Sequence, residues 1–173
     1  MAKNIKKSKT ATSKDNVNAE NATGTANTNR QILVHAQYIK DLSFENPNAP
    51  SVLMRESAQP DVEITVNVGA QLIDKNQYEV TLNLAAKASS EKAALFLVDL
   101  TYAGLVTPEG ASIDEVNPLI MIEAPRLLFP FARAIISDVT RDGGFMPLNI
   151  QPVDFVAVYQ HNLAQQAAAQ TSN

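Results

Sequence analysis

The stretch YIKDLSFENPNAP, residues 38–50, decides the fold of this chain. Its first half is rich in the aromatic and branched residues of a β-strand. Its second half carries two prolines and two asparagines, which prevent a strand or a helix from continuing. Asp41 and Glu45 place two carboxylates where the strand ends. We therefore expect a strand over residues 32–44 that leads into a rigid, acidic connection.

Two further blocks follow in a recognisable order, LLFPFAR at residues 127–133 and GFMPLNIQPVDF at residues 144–155. Together with residues 38–50 they resemble the SecB family, the bacterial export chaperones that hold unfolded preproteins and deliver them to the SecA motor. The resemblance covers residues 31–165, and the two ends of the chain do not share it. Three ordered blocks in one short chain make the match specific.

Composition excludes several classes of protein. The chain has no cysteine and two histidines, His35 and His161. This composition predicts no disulfide, no metal site and no cofactor. No apolar run approaches the ~18 residues of a membrane span, and no apolar core follows the basic start as in a secretory signal. The 173 residues fit one domain. The absence of cysteine agrees with the reducing cytoplasm, where we expect the protein to act.

Charge is divided unevenly along the chain. Residues 1–30 carry a net +4, and residues 31–173 carry eight basic and sixteen acidic side chains, a net −8. An acidic body favours basic protein partners over nucleic acid. Residues 1–30 contain almost no large apolar side chains, which predicts a disordered basic and polar extension. We expect one folded domain over residues 31–166 and a flexible tail over residues 167–173.

Three more strands follow the first. Residues 61–71 alternate apolar and polar side chains, residues 78–84 repeat the pattern, and a fourth strand occupies residues 93–106. Short polar turns between successive strands predict antiparallel pairing. The fourth strand is apolar on both faces, because Leu95 and Leu97 interrupt its polar face. Either a partner covers that face or Leu97 is a single exposed apolar residue.

Two helices are predicted near the end of the chain. Residues 107–121 read as a long crossover loop, and a helix apolar around most of its circumference follows over residues 125–142. Pro130 should kink it or delay its start, and Gly143-Gly144 should end it. A last amphipathic helix is expected over residues 152–166. The fold class is α+β, a four-stranded antiparallel sheet plus two C-terminal helices.

Catalytic chemistry has no candidate site. Ser43, His35 and Asp41 could form a triad on paper, but no nucleophile elbow or glycine-rich oxyanion loop accompanies them. Gly143-Gly144 lacks the lysine and the preceding strand of a phosphate-binding loop. The sequence predicts a binding protein and not an enzyme. An enzyme is the third hypothesis, and it would require a pocket with perturbed ionisable groups.

The resemblance implies an assembly. SecB proteins pair into dimers, and two dimers form a homotetramer with helices between two large sheets. One face of the fourth strand would then pack against helices, and the helix over residues 125–142 would be covered on several sides. The residues expected in helix packing and oligomer contacts are Phe96, Val98, Leu100, Tyr102, Leu127, Phe131 and Ile135.

The resemblance also implies two binding surfaces. In SecB proteins the outer sheet face and the acids of the first strand receive SecA, and the matching residues here are Asp41, Glu45, Leu97 and Asp99. Asp99 stands where Glu is usual, which keeps the charge and shortens the reach. Unfolded preproteins would bind in grooves between sheet and helices. The expected lining is Tyr38, Phe44, Leu119, Ile120 and Met121, although each of them fits the core equally well. Ala58 stands where many relatives have Trp.

Two functions follow from the resemblance. The first is an ATP-independent chaperone that keeps preproteins translocation-competent and delivers them to SecA. The alternative is a SecB-like chaperone dedicated to a single client, as in a toxin–antitoxin module. Retention of the four residues that match the SecA surface favours the first function. Neither function requires nucleic acid as a partner or insertion into a membrane.

Overall fold

A computed structural model describes residues 30–54, 60–90 and 93–171. Most of the predicted N-terminal extension, Ala58 and the last two residues lie outside the described part of the chain. Four strands form a single sheet, as the sequence predicts. They are β1 (Gln31–Glu45), β2 (Asp61–Asp74), β3 (Gln77–Ser90) and β4 (Ala93–Glu109).

The sheet is antiparallel throughout, with the strand order β1-β4-β3-β2. A short turn connects β2 to β3, and two residues separate β3 from β4 in the sequence. β1, in contrast, pairs with β4, the last strand, so the connection between β1 and β2 must cross from one edge of the sheet to the other. That connection begins with the proline- and asparagine-rich stretch quoted above and includes a short 3-10 helix over Ser51–Met54. The motif at residues 38–50 therefore ends one edge strand and starts the crossover.

The predicted crossover loop over residues 107–121 is wrong. β4 continues to Glu109, and helix α1 (Ile113–Pro118) follows, then a π-helical turn over Leu119–Glu123. The backbone N–H and the hydroxyl of Ser112 both donate to the Glu115 carboxylate, at 3.1 and 2.9 Å, which stabilises the first turn of α1. Pro118 lies at the last position of α1, where the wider π turn takes over.

Helix α2 (Ala124–Asp142) and helix α3 (Phe155–Thr171) complete the fold. α2 begins before Pro130 and continues past it, so the second of the two effects expected of Pro130, a delayed helix start, does not occur. Gly144 takes the left-handed conformation expected after a helix, with φ of 89°, whereas Gly143 stays right-handed.

Helix α3 begins three residues later and ends five residues later than predicted. Its start is set by Asp154, whose Oδ1 accepts hydrogen bonds from the N–H groups of Val156 and Ala157 at 3.0 and 3.2 Å. Residues 167–171, expected in the flexible tail, continue the helix backbone.

The core lies between the inner face of the sheet and helix α2. Phe96, Val98, Leu100 and Tyr102 all point to this side and are buried. Burial of each such side chain contributes about 1.5–3 kcal/mol. α2 approaches β4 closely because Gly104 has no side chain, and a Cβ there would lie 2.7 Å from Leu128 Cδ2. The first half of α3 joins the same core, where Phe155 meets Phe129 edge-on at 5.8 Å.

The two leucines that interrupt the polar face of β4 have different surroundings. Leu95 lies at a register shift between β3 and β4 and is buried in the core. A bulge of this kind turns a side chain that strict alternation would place outside. Leu97 follows the regular alternation, and it is half-buried on the outer face.

Candidate binding surfaces on the two faces of the sheet

The four residues predicted to bind SecA lie together on the outer face of the sheet. Glu45 pairs directly with Leu97, and Ser43, between Glu45 and Asp41, pairs with Asp99. Side chains opposite one another on neighbouring strands are about 5 Å apart at Cβ, so the four form one patch. We call Asp41, Glu45, Leu97 and Asp99 the acidic outer patch. Their adjacency depends on the pairing of β1 with β4, which brings together residues more than fifty positions apart.

The acidic outer patch presents three exposed carboxylates around one half-buried leucine. Among the described residues, no ion pair engages Asp41, Glu45 or Asp99. Such unpaired carboxylates attract a basic partner over about a Debye length, and the leucine adds apolar contact area. The arrangement suits recognition of a basic protein surface.

Tyr38, predicted to line the client groove, instead lies on the outer face. Its hydroxyl donates to Glu79 Oε1 at 2.5 Å, and Lys40 Nζ contacts Glu79 Oε2 at 2.6 Å. These two hydrogen bonds hold the pKa of Glu79 below its usual range, with that from Lys40 the stronger influence, and the bond to Glu79 raises the pKa of Tyr38. Strict alternation would put Tyr38 and Phe44 on one face. A bulge between them puts them on opposite faces.

Phe44 lies on the inner face in a cluster of three aromatic rings. Its ring stacks on Phe96 with 5.9 Å between centroids, and Phe96 meets Phe145 at 5.0 Å. We call these three residues the aromatic cluster. Gly143 lies against the Phe44 ring, since a Cβ there would be 2.3 Å from Phe44 Cζ. The contact explains why the chain needs glycine at position 143 although its φ is right-handed.

Flexible apolar side chains lie near the aromatic cluster. Met146, the residue after Phe145, is 87% exposed, and Met54 in the β1–β2 connection is 84% exposed. Leu53 approaches Gly144, which joins that connection to the loop after α2. Sequence reasoning missed Phe145, Met146 and Met54 as candidate lining, although the block at residues 144–155 contains the first two.

A second apolar site lies at the other end of the sheet. Ile120 and Met121 border a cleft of about 460 Å³ between strands β2 and β3 and helix α3, and Leu119 precedes them. Ile120 is buried, and Leu119 and Met121 are half-buried. The remaining apolar lining residues are Val68, Ala70, Leu72, Tyr78, Tyr159 and Leu163. The contribution of α3 was missed, because the sequence predicted this segment only as an amphipathic helix and did not relate Tyr159 and Leu163 to a binding surface.

Strand β2 connects the regions of the two apolar sites. Val62 and Ile64 share the inner face with Val68 of the cleft, and both are exposed because α2 covers mainly β3 and β4. Their cross-strand partners on β3 are Ala88 and Ala86, at the end of the sheet that holds the aromatic cluster. The inner face thus carries apolar surface from one end to the other.

Geometry excludes the catalytic triad considered from the sequence, Ser43, His35 and Asp41. His35 and Ser43 are eight residues apart on one strand, a separation of roughly 25 Å at the usual rise per residue. His35 Nε2 lies 2.8 Å from Thr107 Oγ1 instead. Within the described ranges, no cluster of three metal-ligating side chains occurs, and no helix has the length and apolarity to cross a bilayer.

Comparison with known proteins assigns the chain to a family. The family model "Preprotein translocase subunit SecB" matches residues 25–166. Two proteins named "Protein-export protein SecB" are similar, one from Rhodopseudomonas palustris at 53% identity and one from Afipia carboxidovorans at 50%. The alignments cover 79% and 81% of this chain and 87% of each relative. The chain belongs to the SecB family.

A solved structure has the same fold at low sequence identity. It is a SecB-like chaperone of Mycobacterium tuberculosis, determined in complex with a peptide from an antitoxin. The TM-score is 0.59 at 12% identity, over 70% of this chain and 90% of that chain. This likeness supports the architecture described above, a four-stranded antiparallel sheet with helices on one face.

Proposed function

We propose that this chain is an ATP-independent chaperone that holds unfolded preproteins on the inner face of its sheet and delivers them to SecA. The SecB family to which it belongs makes it a protein-export chaperone. The single observation that supports the holding step is the open apolar inner face. Aromatic rings beside highly exposed methionines can adapt to many sequences without reading one, because thioether side chains are flexible and polarisable.

The holding mechanism requires no nucleotide. An unfolded chain exposes apolar segments before it folds or aggregates, and a surface that captures those segments lowers the concentration of the aggregating species. Extended segments can also add hydrogen bonds at the free edge of β2, which has no neighbour among the described strands. Capture is then reversible, as delivery requires.

We propose that the protomers assemble as a homotetramer, a dimer of dimers, in the bacterial cytoplasm. The support within the protomer is an apolar stripe on α2 that the sheet does not cover. Leu127 is 45% exposed and Phe131 is 53% exposed, one helical turn apart, and half-buried Ile135 continues the line. A second protomer on this stripe would bury it.

Delivery would use the acidic outer patch. Its carboxylates would steer basic SecA surfaces to the outer face while the client occupies the inner face, so both can bind at once. The alternative, a chaperone dedicated to one client, has no need of such a patch. The M. tuberculosis structure with an antitoxin peptide shares the fold alone, and therefore it does not favour that alternative.

The test separates the two surfaces. The double variant Leu97→Arg with Asp99→Lys is expected to abolish SecA binding in titration calorimetry, while suppression of aggregation of an unfolded substrate stays at the wild-type level. A matched control, Thr65→Arg with Asp61→Lys, makes the same charge change on the outer face of β2 and should bind SecA. Loss of both functions in the first variant would show that Leu97 and Asp99 support the fold instead.

The holding step has its own test. Purified protein should have a light-scattering mass near four protomers and should suppress aggregation of an unfolded substrate without ATP. A stable monomer with no effect on aggregation would contradict the proposed function.

A further inference from the structure

Strand β1 contains a one-residue bulge at Lys40, next to the acidic outer patch. Ile39 pairs with Tyr102 and Asp41 pairs with Thr101, and these two partners are neighbours on β4. Lys40 lies between Ile39 and Asp41 on β1, so it is an extra residue without a partner on β4. In regular alternation Tyr38 and Asp41, three residues apart, would face opposite sides. The bulge places Tyr38, Lys40 and Asp41 all on the outer face.

This geometry brings a cation close to the patch. Lys40 directly precedes Asp41 in the chain, and both side chains project from the same face of an edge strand. A lysine side chain is long and flexible, so its ammonium group can reach the carboxylate of the neighbouring residue and neutralise it. An Asp41 paired in this way would attract a basic partner more weakly.

Glu79 holds the Lys40 ammonium group in a different place. Glu79 lies on β3, and β4 separates it from β1, so the contact spans two strand spacings, roughly 9.5 Å. Lys40 Nζ lies 2.6 Å from Glu79 Oε2, and the Tyr38 hydroxyl occupies Glu79 Oε1. The span is possible because Ala103, the residue of β4 that pairs with Tyr38, is small and fully buried.

The contact is built more firmly than an ordinary surface ion pair. The Glu79 side chain is 12% exposed, and both of its oxygens have a hydrogen-bond partner. The donors lower the pKa of Glu79, so it stays ionised at neutral pH and below. Tyr38 fixes the orientation of the carboxylate, and Lys40 is therefore held over β4 and β3, away from the edge of the sheet.

We propose that Glu79 is a positioning residue for partner docking, because it retains the Lys40 ammonium group and so leaves the Asp41 carboxylate free for a basic partner. The inference rests on the proposed function of the acidic outer patch. It adds two residues, Glu79 and Lys40, that do not themselves contact the partner. Their role is to keep the charge of the patch from being cancelled by the chain's own lysine.

The test compares Glu79→Gln with two related variants in the full chain. Glu79→Gln releases Lys40, which can then pair with Asp41. The affinity for SecA should fall about threefold, which corresponds to the free energy of one exposed ion pair. Lys40→Met in the Glu79→Gln background removes the released cation and should restore wild-type affinity. A role of Glu79 in general stability would not be rescued by this second substitution.

A charge control and a structural readout complete the test. Glu109→Gln removes an outer-face carboxylate that accepts a hydrogen bond from Gln31 and, among the described residues, forms no ion pair with a lysine. The affinity for SecA should then change by less than about 1.5-fold, since isolated surface charges contribute little. A crystal structure of Glu79→Gln should place Lys40 Nζ within ion-pair distance of Asp41. An unchanged affinity of Glu79→Gln, or no rescue by Lys40→Met, would overturn the inference.

The outcomes separate this inference from the proposed function. If the wild-type protein does not bind SecA, the docking proposal fails, and the position of Lys40 in the Glu79→Gln structure still decides the inference about Glu79. If Glu79→Gln does not fold, the single variant Lys40→Met decides it. Lys40→Met should then bind SecA at least as tightly as the wild type, and weaker binding would show that Lys40 contributes to docking directly.

Discussion

A single buried hydroxyl links helix α2 to the loop that carries part of the aromatic cluster. Thr140 is fully buried, and its Oγ1 donates to the carbonyl oxygen of Ile136 at 2.9 Å and accepts the N–H of Leu148 at 2.9 Å. Thr140→Val keeps the shape but leaves the Leu148 N–H unpaired. We expect a loss of about 1–3 kcal/mol in the free energy of unfolding, measured by urea denaturation at fixed protein concentration.

Hydrogen exchange distinguishes this effect from a change in packing. The Leu148 amide should exchange faster in Thr140→Val, whereas Thr140→Ser keeps the hydroxyl and should keep the protection. If both variants exchange alike, the hydroxyl does not hold the loop. The loop places Phe145 and Met146, so a loosened loop should also weaken client holding.

At the scale of elements, the sequence predicted the strands well, but it predicted the helical segment after β4 and the pairing of the strands less well. Alternation located β2 and β3, because half-buried strands carry a period of two. The helical segment over residues 113–123 was missed, since proline and glycine nearby favoured a loop and the Ser112–Glu115 bonds were overlooked. The pairing of β1 with β4 could not be predicted from local pattern, because it depends on contacts distant in sequence.

Helix α2 carries an apolar stripe that gives the proposed assembly a direct test. Leu127→Ser with Phe131→Ser should convert tetramers into dimers, since about 1.5–3 kcal/mol is lost for each apolar side chain no longer buried at the interface. Light-scattering mass measures the change. Circular dichroism should stay as in the wild type, because both side chains are exposed in the protomer.

A matched control uses the same helix. Ala134→Ser changes another exposed α2 position to serine without removing a large apolar group, and the tetramer should persist. A double variant that keeps the mass of the wild type would exclude this stripe from the assembly. Unfolding of the double variant would show that the stripe supports the protomer.

Over the whole molecule, the resemblance grouped residues of the outer face more accurately than residues of the inner face. Asp41, Glu45, Leu97 and Asp99 lie together on one face, because regular alternation close to the motif keeps them there, and their role in SecA binding stays a prediction. Tyr38 was assigned to the wrong face, because no local signal reveals the extra residue at Lys40.

The inner surface combines side chains from several elements. Phe44 comes from β1, whereas Phe145 comes from the loop after α2, and the cleft at the other end adds residues of α3. No spacing along the chain relates residues that meet only after the sheet and helices have packed. Each could be recognised as apolar, but not as part of one surface.

The two faces of the molecule should differ in how strongly they respond to salt. Residues 31–173 carry a net −8, and the proposed docking of a basic partner to the acidic outer patch would depend on charges that salt screens within about 10 Å at 0.1 M. We expect the association rate with SecA to fall about tenfold between 50 and 300 mM NaCl. Stopped-flow fluorescence measures that rate.

In the proposed function, client holding rests instead on apolar burial at the aromatic cluster and the cleft, and moderate salt does not weaken apolar burial. The amount of protein that half-suppresses aggregation should therefore change by less than about twofold over the same range. A parallel loss of both activities would mean that the client, like SecA, is captured through the acidic patch, and that the two partners compete for one face. Independent responses would instead indicate that one protomer can hold a client on its inner face while its outer face binds SecA. Delivery of a client that has not yet been released requires such simultaneous binding.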